Sequence, residues 1–155
     1  QRHPEVRVLF FGKGAHRPQL EQQIETLGLS RHVFFPGFRD DLARWMPCLD
    51  MVVHPADMEG LGVSLLQGAA ASVPIVATRA GGIPEAVKDG HTGLVVEPGD
   101  KRGLSLAILS LLEDPERRRG MGAAGRKRIM EEFSTEGMVE GNLGLYRTLL
   151  SGGPQ

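Results

Sequence analysis

The chain has 155 residues, 41% of them hydrophobic and 24% charged, a length and balance that suit one globular domain with a core of its own. Its 18 basic and 19 acidic residues leave a net charge of −1, which removes the bulk electrostatic case for nucleic acid. One cysteine excludes an internal disulfide and a multi-cysteine metal site, and no apolar run approaches the roughly 18 residues needed to span a membrane.

"VRVLFFG" (6–12) is a short apolar run closed by glycine and predicts a buried strand. In 16–29, Leu20, Ile24 and Leu27 share one helical face, with Gly28 as the stop. "HVFFPG" (32–37) is a second strand, and 40–49 a short helix with Asp40 as its cap candidate. Cys48 falls in this apolar stretch and reads as an inert core thiol. A third strand spans 50–55 and a helix spans 62–72, with Val63, Leu66 and Ala70 as the face toward the sheet. A fourth strand (74–78) leads into "RAGGIPEAV", and turn chemistry in "DGHTG" precedes a fifth strand at 94–98. Helices follow over 100–113, 115–132 and about 134–150, with Pro115 in a first turn and Ser134 as a cap. The run "ERRRG" (116–120) reads as a solvated helix face, and Trp45 and Tyr146 as packing residues.

Strands alternating with helices imply parallel pairing through right-handed crossovers. The strands are apolar throughout, which fits a sheet covered on both faces. The fold class is therefore α/β, a Rossmann-like three-layer sandwich over residues 1–150, with a disordered tail at 151–155. In such folds ligands sit at the carboxyl ends of the strands, which directs attention to the loops at 12–18, 36–40, 54–62 and 78–85.

"GKGAHRP" (12–18) follows a strand and precedes a helix, yet it fails both named phosphate-loop fingerprints. Arg17 stands where the dinucleotide pattern needs its third glycine, and Lys13 is followed by Gly14 instead of Ser or Thr. A phosphate turn and a plain tight turn both remain open for it.

"HPADMEGLGVSLLQG" (54–68) is richer. Its loop enters a helix near Gly62, where the first amides lack internal acceptors and carry the positive end of the helix dipole. With no side chain at Gly60 or Gly62, a diphosphate can approach the backbone closely. Glu59 would repel phosphate, so it suits neutral hydroxyls, while a loop acid or local cap is the plain alternative. Gln67, in the second helical turn, reads either as a ribose contact or as a solvated helix residue.

Gly81 and Gly82 form a second glycine loop, followed by Glu85 in a first turn that favours an acid in any case. Two such loops suggest one anionic ligand held mainly by backbone. The five histidines are scattered, no Asp-x-Asp is present, and no Ser-His-Asp constellation appears.

The ordered series "VLFFGKGAHRPQLE", "HVFFPGFRDDLARWMPCLDMVVHPADMEGLGVSLLQGAAASVPIVATRAGGIPEAVKDGHTGLVVEPGD" and "FSTEGMVEGNLGLYRTLL" resembles the C-terminal domain of glycosyltransferase family 4 over roughly residues 6 to 150. The resemblance implies a retaining, two-lobed GT-B architecture whose C-terminal lobe holds a UDP-, GDP- or ADP-sugar donor without a metal or prosthetic group. It implies that Glu59 contacts hydroxyls of the transferred sugar and that Gly60, Leu61, Gly62 and Val63 hold the diphosphate. Leu66 then lies near the ribose, and Gln67 occupies the place of a ribose-binding acid. Phe35 to Phe38 border the base, and Gly12 and Gly14 line the donor cleft.

Gln67 departs from the family's usual Glu, and Ala56 follows Pro55 where relatives often carry Ser. The family's preceding strand, its basic Arg and Lys pair and the whole N-terminal acceptor lobe are not in this sequence, and residue 1 is Gln. The expectation is a donor-binding lobe, inactive alone, with any membrane contact made through the other lobe. No leader is visible in "QRHPEVRVLFFG", so a cytoplasmic location is expected. The competing readings are a non-catalytic transferase-like module and a Rossmann-like domain for another nucleotide.

Overall fold

A computed structural model describes residues 3–152, so most of the tail expected to be disordered lies outside the described residues. The chain folds as two compact units divided between Leu42 and Ala43. The five strands pair in two parallel sheets, where the sequence reading gave one.

In the first unit, β1 (Val8–Phe11) pairs with β2 (Val33–Gly37) through helix α1 (Arg17–Thr26). Gly28 takes φ +66°, and the amides of Gly28 and Leu29 reach back to Glu25 and Ile24, so glycine ends the helix as its position predicted. The apolar face of α1 is only partly covered, since Ile24 is half-buried while Leu27 is 60% exposed. Burial alternates along β1, which leaves Val8 and Phe10 exposed, and Phe34 of β2, in register with Leu9, is exposed as well. Continuous apolar character therefore does not mean burial on both faces here.

The short helix α2 (Leu42–Trp45) starts two residues later than expected. Asp40 stands outside it, and the carboxylate of Asp41 is held by Arg39 at 2.8 Å. Pro47 then sets a single 3-10 turn, Met46–Cys48. Met46 is the buried residue of that turn. Cys48 is exposed, a correction to its reading as a core thiol.

The second unit is three-layered. Strands β3 (Val52–His54), β4 (Ile75–Thr78) and β5 (Gly93–Val96) run parallel in that order, and every residue of β4 is buried. On one face, Ile75, Ala77 and Val95 pack with Leu65 and Ala69 of α3 (Val63–Ala70), Ile83 of α4 (Ile83–Ala86) and Ile129 of α6 (Pro115–Glu132). On the other, Val76 packs with Ala107 and Leu111 of α5 (Lys101–Glu113) and with Met121.

The buried face of α3 is Leu65, Gly68 and Ala69, while Val63 is 68% exposed and Leu66 and Ala70 are intermediate. Leu66 and Ala70 pack against that core as partly buried residues, so the sequence assignment fails at Val63 and misses Leu65, the centre of the buried face. Small residues replace large ones where backbones approach. A Cβ on Gly68 would lie 2.9 Å from a methyl of Val52, and one on Gly122 only 2.0 Å from the Ser72 carbonyl oxygen.

Asp100, Asp114 and Ser134 accept hydrogen bonds from Gly103, Arg117 and Gly137, capping α5, α6 and α7 (Thr135–Leu150). Only Ser134 stood out as a cap in the sequence. Tyr146, expected to pack, is 60% exposed on α7, a helix with no buried residue. Arg118 departs from the solvated run 116–120. Its guanidinium donates to the Leu111 carbonyl and pairs with Asp50 at 3.0 Å.

Arg128 ties α6 to the end of α4. It donates to the carbonyls of Ala86 (2.8 Å) and Glu85 (2.7 Å), pairs with Glu132 and lies over the Phe133 ring. Charge-assisted hydrogen bonds are worth about 1.5–3 kcal/mol when made away from bulk water. Arg128→Met should therefore destabilise the chain by about 2 kcal/mol, measured by urea unfolding. An unchanged midpoint would contradict the clamp.

Candidate functional site

The second unit brings β3, the 55–62 loop, the start of α3 and the 79–82 loop together at the carboxyl ends of β3 and β4. Thr78, the buried end of β4, donates through Oγ1 to the carbonyl of Ala56 and, at 3.4 Å, to that of His54, so the two strand ends are laced.

The two glycine loops are in backbone contact. The Gly82 amide donates to the Gly60 carbonyl at 2.8 Å. A Cβ on Gly82 would stand 2.4 Å from that oxygen, and one on Gly81 (φ +50°) 1.8 Å from the Glu59 carbonyl oxygen. Glycine is thus required here for close approach of backbone to backbone. The sequence reading had reserved that freedom for a ligand.

Gly62 takes φ +75° at the N-cap of α3, and no side chain caps the helix. The Leu65 amide donates to the Gly62 carbonyl at 2.8 Å, and the amides ahead of it lie at the electropositive end of the helix dipole. Gly60 differs from the amides that follow it, because its N–H already donates to Glu59 Oε1 at 3.0 Å.

Glu59 is partly exposed, and its second oxygen, Oε2, lies 2.8 Å from His54 Nε2. A carboxylate has about four lone-pair sites, so two stay open to hydroxyl donors. An open hollow of about 580 Å³ is lined by Met58, Glu59, Gly60 and Gly81, a size within the range of small-molecule sites. Leu61 is exposed at 37%, Leu66 is half-buried, and Gln67 is exposed on the second turn of α3. His54 was missed by the sequence reading, which counted it among scattered histidines. Its place at a strand end, five residues before the acid, was the available signal.

In the first unit, Gly12 takes φ +105° at the end of β1, and its amide donates to the Gly37 carbonyl at 2.8 Å. A Cβ on Gly14 would meet nothing within 4 Å, so no packing accounts for that glycine. Phe35 stacks on Phe10 with ring centroids 5.3 Å apart, and the Arg17 guanidinium sits 5.0 Å over its ring. The Phe35 side chain is therefore occupied, while Phe38 is 69% exposed. Arg17 is itself paired with Glu21 at 2.8 Å.

Residues 1–128 match the family model described as glycosyl transferases group 1. The chain belongs to that family. Among its relatives, it is 32% identical over 146 residues to N-acetyl-alpha-D-glucosaminyl L-malate synthase of Bacillus anthracis, covering 94% of this chain and 38% of that protein. It is 37% identical over 146 residues to the GDP-mannose-dependent monoacylated alpha-(1-6)-phosphatidylinositol monomannoside mannosyltransferase of Corynebacterium glutamicum, covering 88% and 38%. Anabaena Alr3699/HepE, solved in complex with UDP-glucose, superposes with a TM-score of 0.83 at 29% identity, over 96% of this chain and 42% of that one. The chain thus spans about two fifths of the length of the relatives it matches. The solved C-terminal domain of a group 1 family protein from Francisella tularensis has the same fold, with a TM-score of 0.74 over 86% of this chain and 91% of that domain, at 19% identity. The open α/β fold with parallel sheets is accordingly that of a GT-B glycosyltransferase lobe. No described helix is long and apolar enough to cross a membrane.

Proposed function

We propose that this chain is the donor-binding lobe of a retaining glycosyltransferase. The observation that carries the reading is the Glu59 carboxylate, fixed at the end of β3 beside the uncapped N-terminus of α3. The carboxylate suits sugar hydroxyls, and the amides of Gly62 and Val63 onward suit a diphosphate. Leu66 and Gln67 take the ribose side of the same ligand. Gly12, Gly14, Phe35 and Phe38 enter the reading through the family resemblance.

In the reaction, the bond between the anomeric carbon and the diphosphate oxygen breaks, and the leaving diphosphate keeps the electron pair. The acceptor oxygen forms the new bond, and its proton passes to the departing diphosphate. Negative charge grows on the diphosphate, where preorganised amides and the helix dipole stabilise it most. That arrangement needs no metal. The UDP-glucose bound by Anabaena HepE and the GDP-mannose dependence of the Corynebacterium glutamicum relative support a nucleoside-diphosphate sugar. An acceptor-binding lobe belongs to the rest of a two-lobed enzyme, with any membrane contact made there, and the compartment is the cytoplasm. The chain alone should bind nucleotide weakly and transfer nothing, and measurable sugar transfer by it would overturn this.

Calorimetric titration with UDP, UDP-glucose, GDP and GDP-mannose tests the site. Glu59→Ala should weaken the sugar nucleotides by about tenfold or more, the worth of a charge-assisted hydrogen bond, and the free diphosphates little. Gln67→Glu should tighten all four, since it restores a charged acceptor for the ribose. Unchanged affinities in both variants would refute the assignment. A second reading, a transferase-like module without catalytic activity, is favoured by Gln67 alone, an exposed neutral amide where an acid is expected.

A further inference from the structure

The acid of this site stands on a loop, and the loop is exposed around it. Met58, its neighbour, is 90% exposed. A glutamate in such a place samples several rotamers in water, and fixing one on binding opposes affinity. Glu59 is not in that condition. Both of its oxygens are engaged, Oε1 by the Gly60 amide at 3.0 Å and Oε2 by His54 Nε2 at 2.8 Å.

The two donors differ in kind. Gly60 belongs to the same loop and moves with it. His54 is the last residue of β3, in register with Ala77 of fully buried β4, and its carbonyl accepts from Thr78. Its side chain is 24% exposed. The imidazole is thus anchored in the sheet and reaches out to the loop. A neutral ring with its proton on Nε2 suffices to donate, so the contact does not depend on a charged histidine.

We propose that His54 is a positioning residue for donor-sugar recognition: its Nε2–H, carried on the rigid end of β3, holds the Glu59 carboxylate so that the remaining lone pairs face the sugar hydroxyls. The inference rests on the reading of Glu59 as a sugar contact. It adds that the selectivity for a sugar nucleotide over the bare nucleotide is set partly by a residue that touches neither. Preorganised groups bind more tightly because the ordering cost is met before the ligand arrives.

The test compares UDP-glucose with UDP, and GDP-mannose with GDP, by calorimetry on the full chain carrying His54→Leu, His54→Gln or Glu59→Ala. His54→Leu should weaken the better sugar nucleotide by about fivefold to tenfold, less than the loss of a charge-assisted hydrogen bond to the ligand itself because His54 acts only through Glu59, while its free diphosphate changes by less than about twofold. His54→Gln, which keeps an N–H donor, should recover most of the loss. In the free chain, the His54 Nε2 proton should be protected from exchange by NMR and lose that protection in Glu59→Ala. Equal weakening of sugar nucleotide and diphosphate by His54→Leu, or failure of glutamine to rescue, would make His54 merely structural and overturn the inference. If Glu59→Ala weakens sugar nucleotides and His54→Leu does not, this inference alone fails. If Glu59→Ala changes nothing, or no nucleotide binds, the donor-site reading fails with it.

Discussion

Alanine at Gly81 should lower the melting temperature by about 10 °C and abolish measurable nucleotide binding. The added methyl would stand 1.8 Å from the Glu59 carbonyl oxygen, a backbone atom that no rotamer change can remove. Overpacking of this kind costs about 1–3 kcal/mol, and a left-handed φ of +50° adds about 1–2 kcal/mol for a residue with a Cβ. Together these reach about 3 kcal/mol or more, and for a chain of this size each kcal/mol moves the transition by about 2–4 °C. Relief requires the two glycine loops to separate, which breaks the 2.8 Å bond from Gly82 to Gly60 and carries Glu59 away from His54. Gly60→Ala is the matched control. A Cβ there meets nothing within 4 Å and the backbone needs no positive φ, so its melting temperature should stay within a few degrees of the parent. Differential scanning fluorimetry of the pair decides the matter, and equal melting would show that the loops are not in contact.

The second large effect concerns α3. Leu65 is fully buried between the sheet and α6, in the cluster with Ile75, Ala77 and Ile129. Leu65→Ala should cost about 3–4 kcal/mol, from lost transfer energy plus the cavity left behind. Leu66→Ala should cost less than half of that, since the side chain is only half-buried, and Val63→Ala about 0.5 kcal/mol or less at a position 68% exposed. Chemical denaturation of the three variants yields the order directly. A larger loss for Leu66 than for Leu65 would restore the helix face read from the sequence and contradict the packing described above.

That misplaced face shows where the sequence was legible and where it was not. Among the described residues, the five strands and helices α1, α3, α5, α6 and α7 fall where apolar runs, glycines and prolines put them, while the helix expected over 40–49 divides into α2 and a 3-10 turn. Gly28, Pro115 and Ser134 mark ends by mechanisms that act within one helical turn. The buried face of α3 is not local information. Leu65 and Leu66 are adjacent and equally apolar, and the choice between them is made by Gly68 against Val52 and by Ala69 against Gly125. Likewise, Val8 and Phe10 look as buried in sequence as Ile75, yet β1 presents them to solvent.

The site divides the same way. Its glycines and its acid were visible as a loop entering a helix. Their division of labour was not, because Gly81 and Gly82 meet residues some twenty positions earlier, and spacing carries no sign of that. The pairing of His54 with Glu59 joins a strand end to a loop, and it depends on a chain path that no periodicity describes.

Cys48 carries a practical consequence. It is the only cysteine of the chain, and it is exposed on the Met46–Cys48 turn. A thiol there is open to maleimide reagents, so a single dye or spin label can be placed without removing any other residue. The same accessibility lets two chains join through an intermolecular disulfide in air, and the covalent dimer so formed would be an artefact of storage. Samples kept under reductant and run beside an unreduced aliquot separate that dimer from a genuine association.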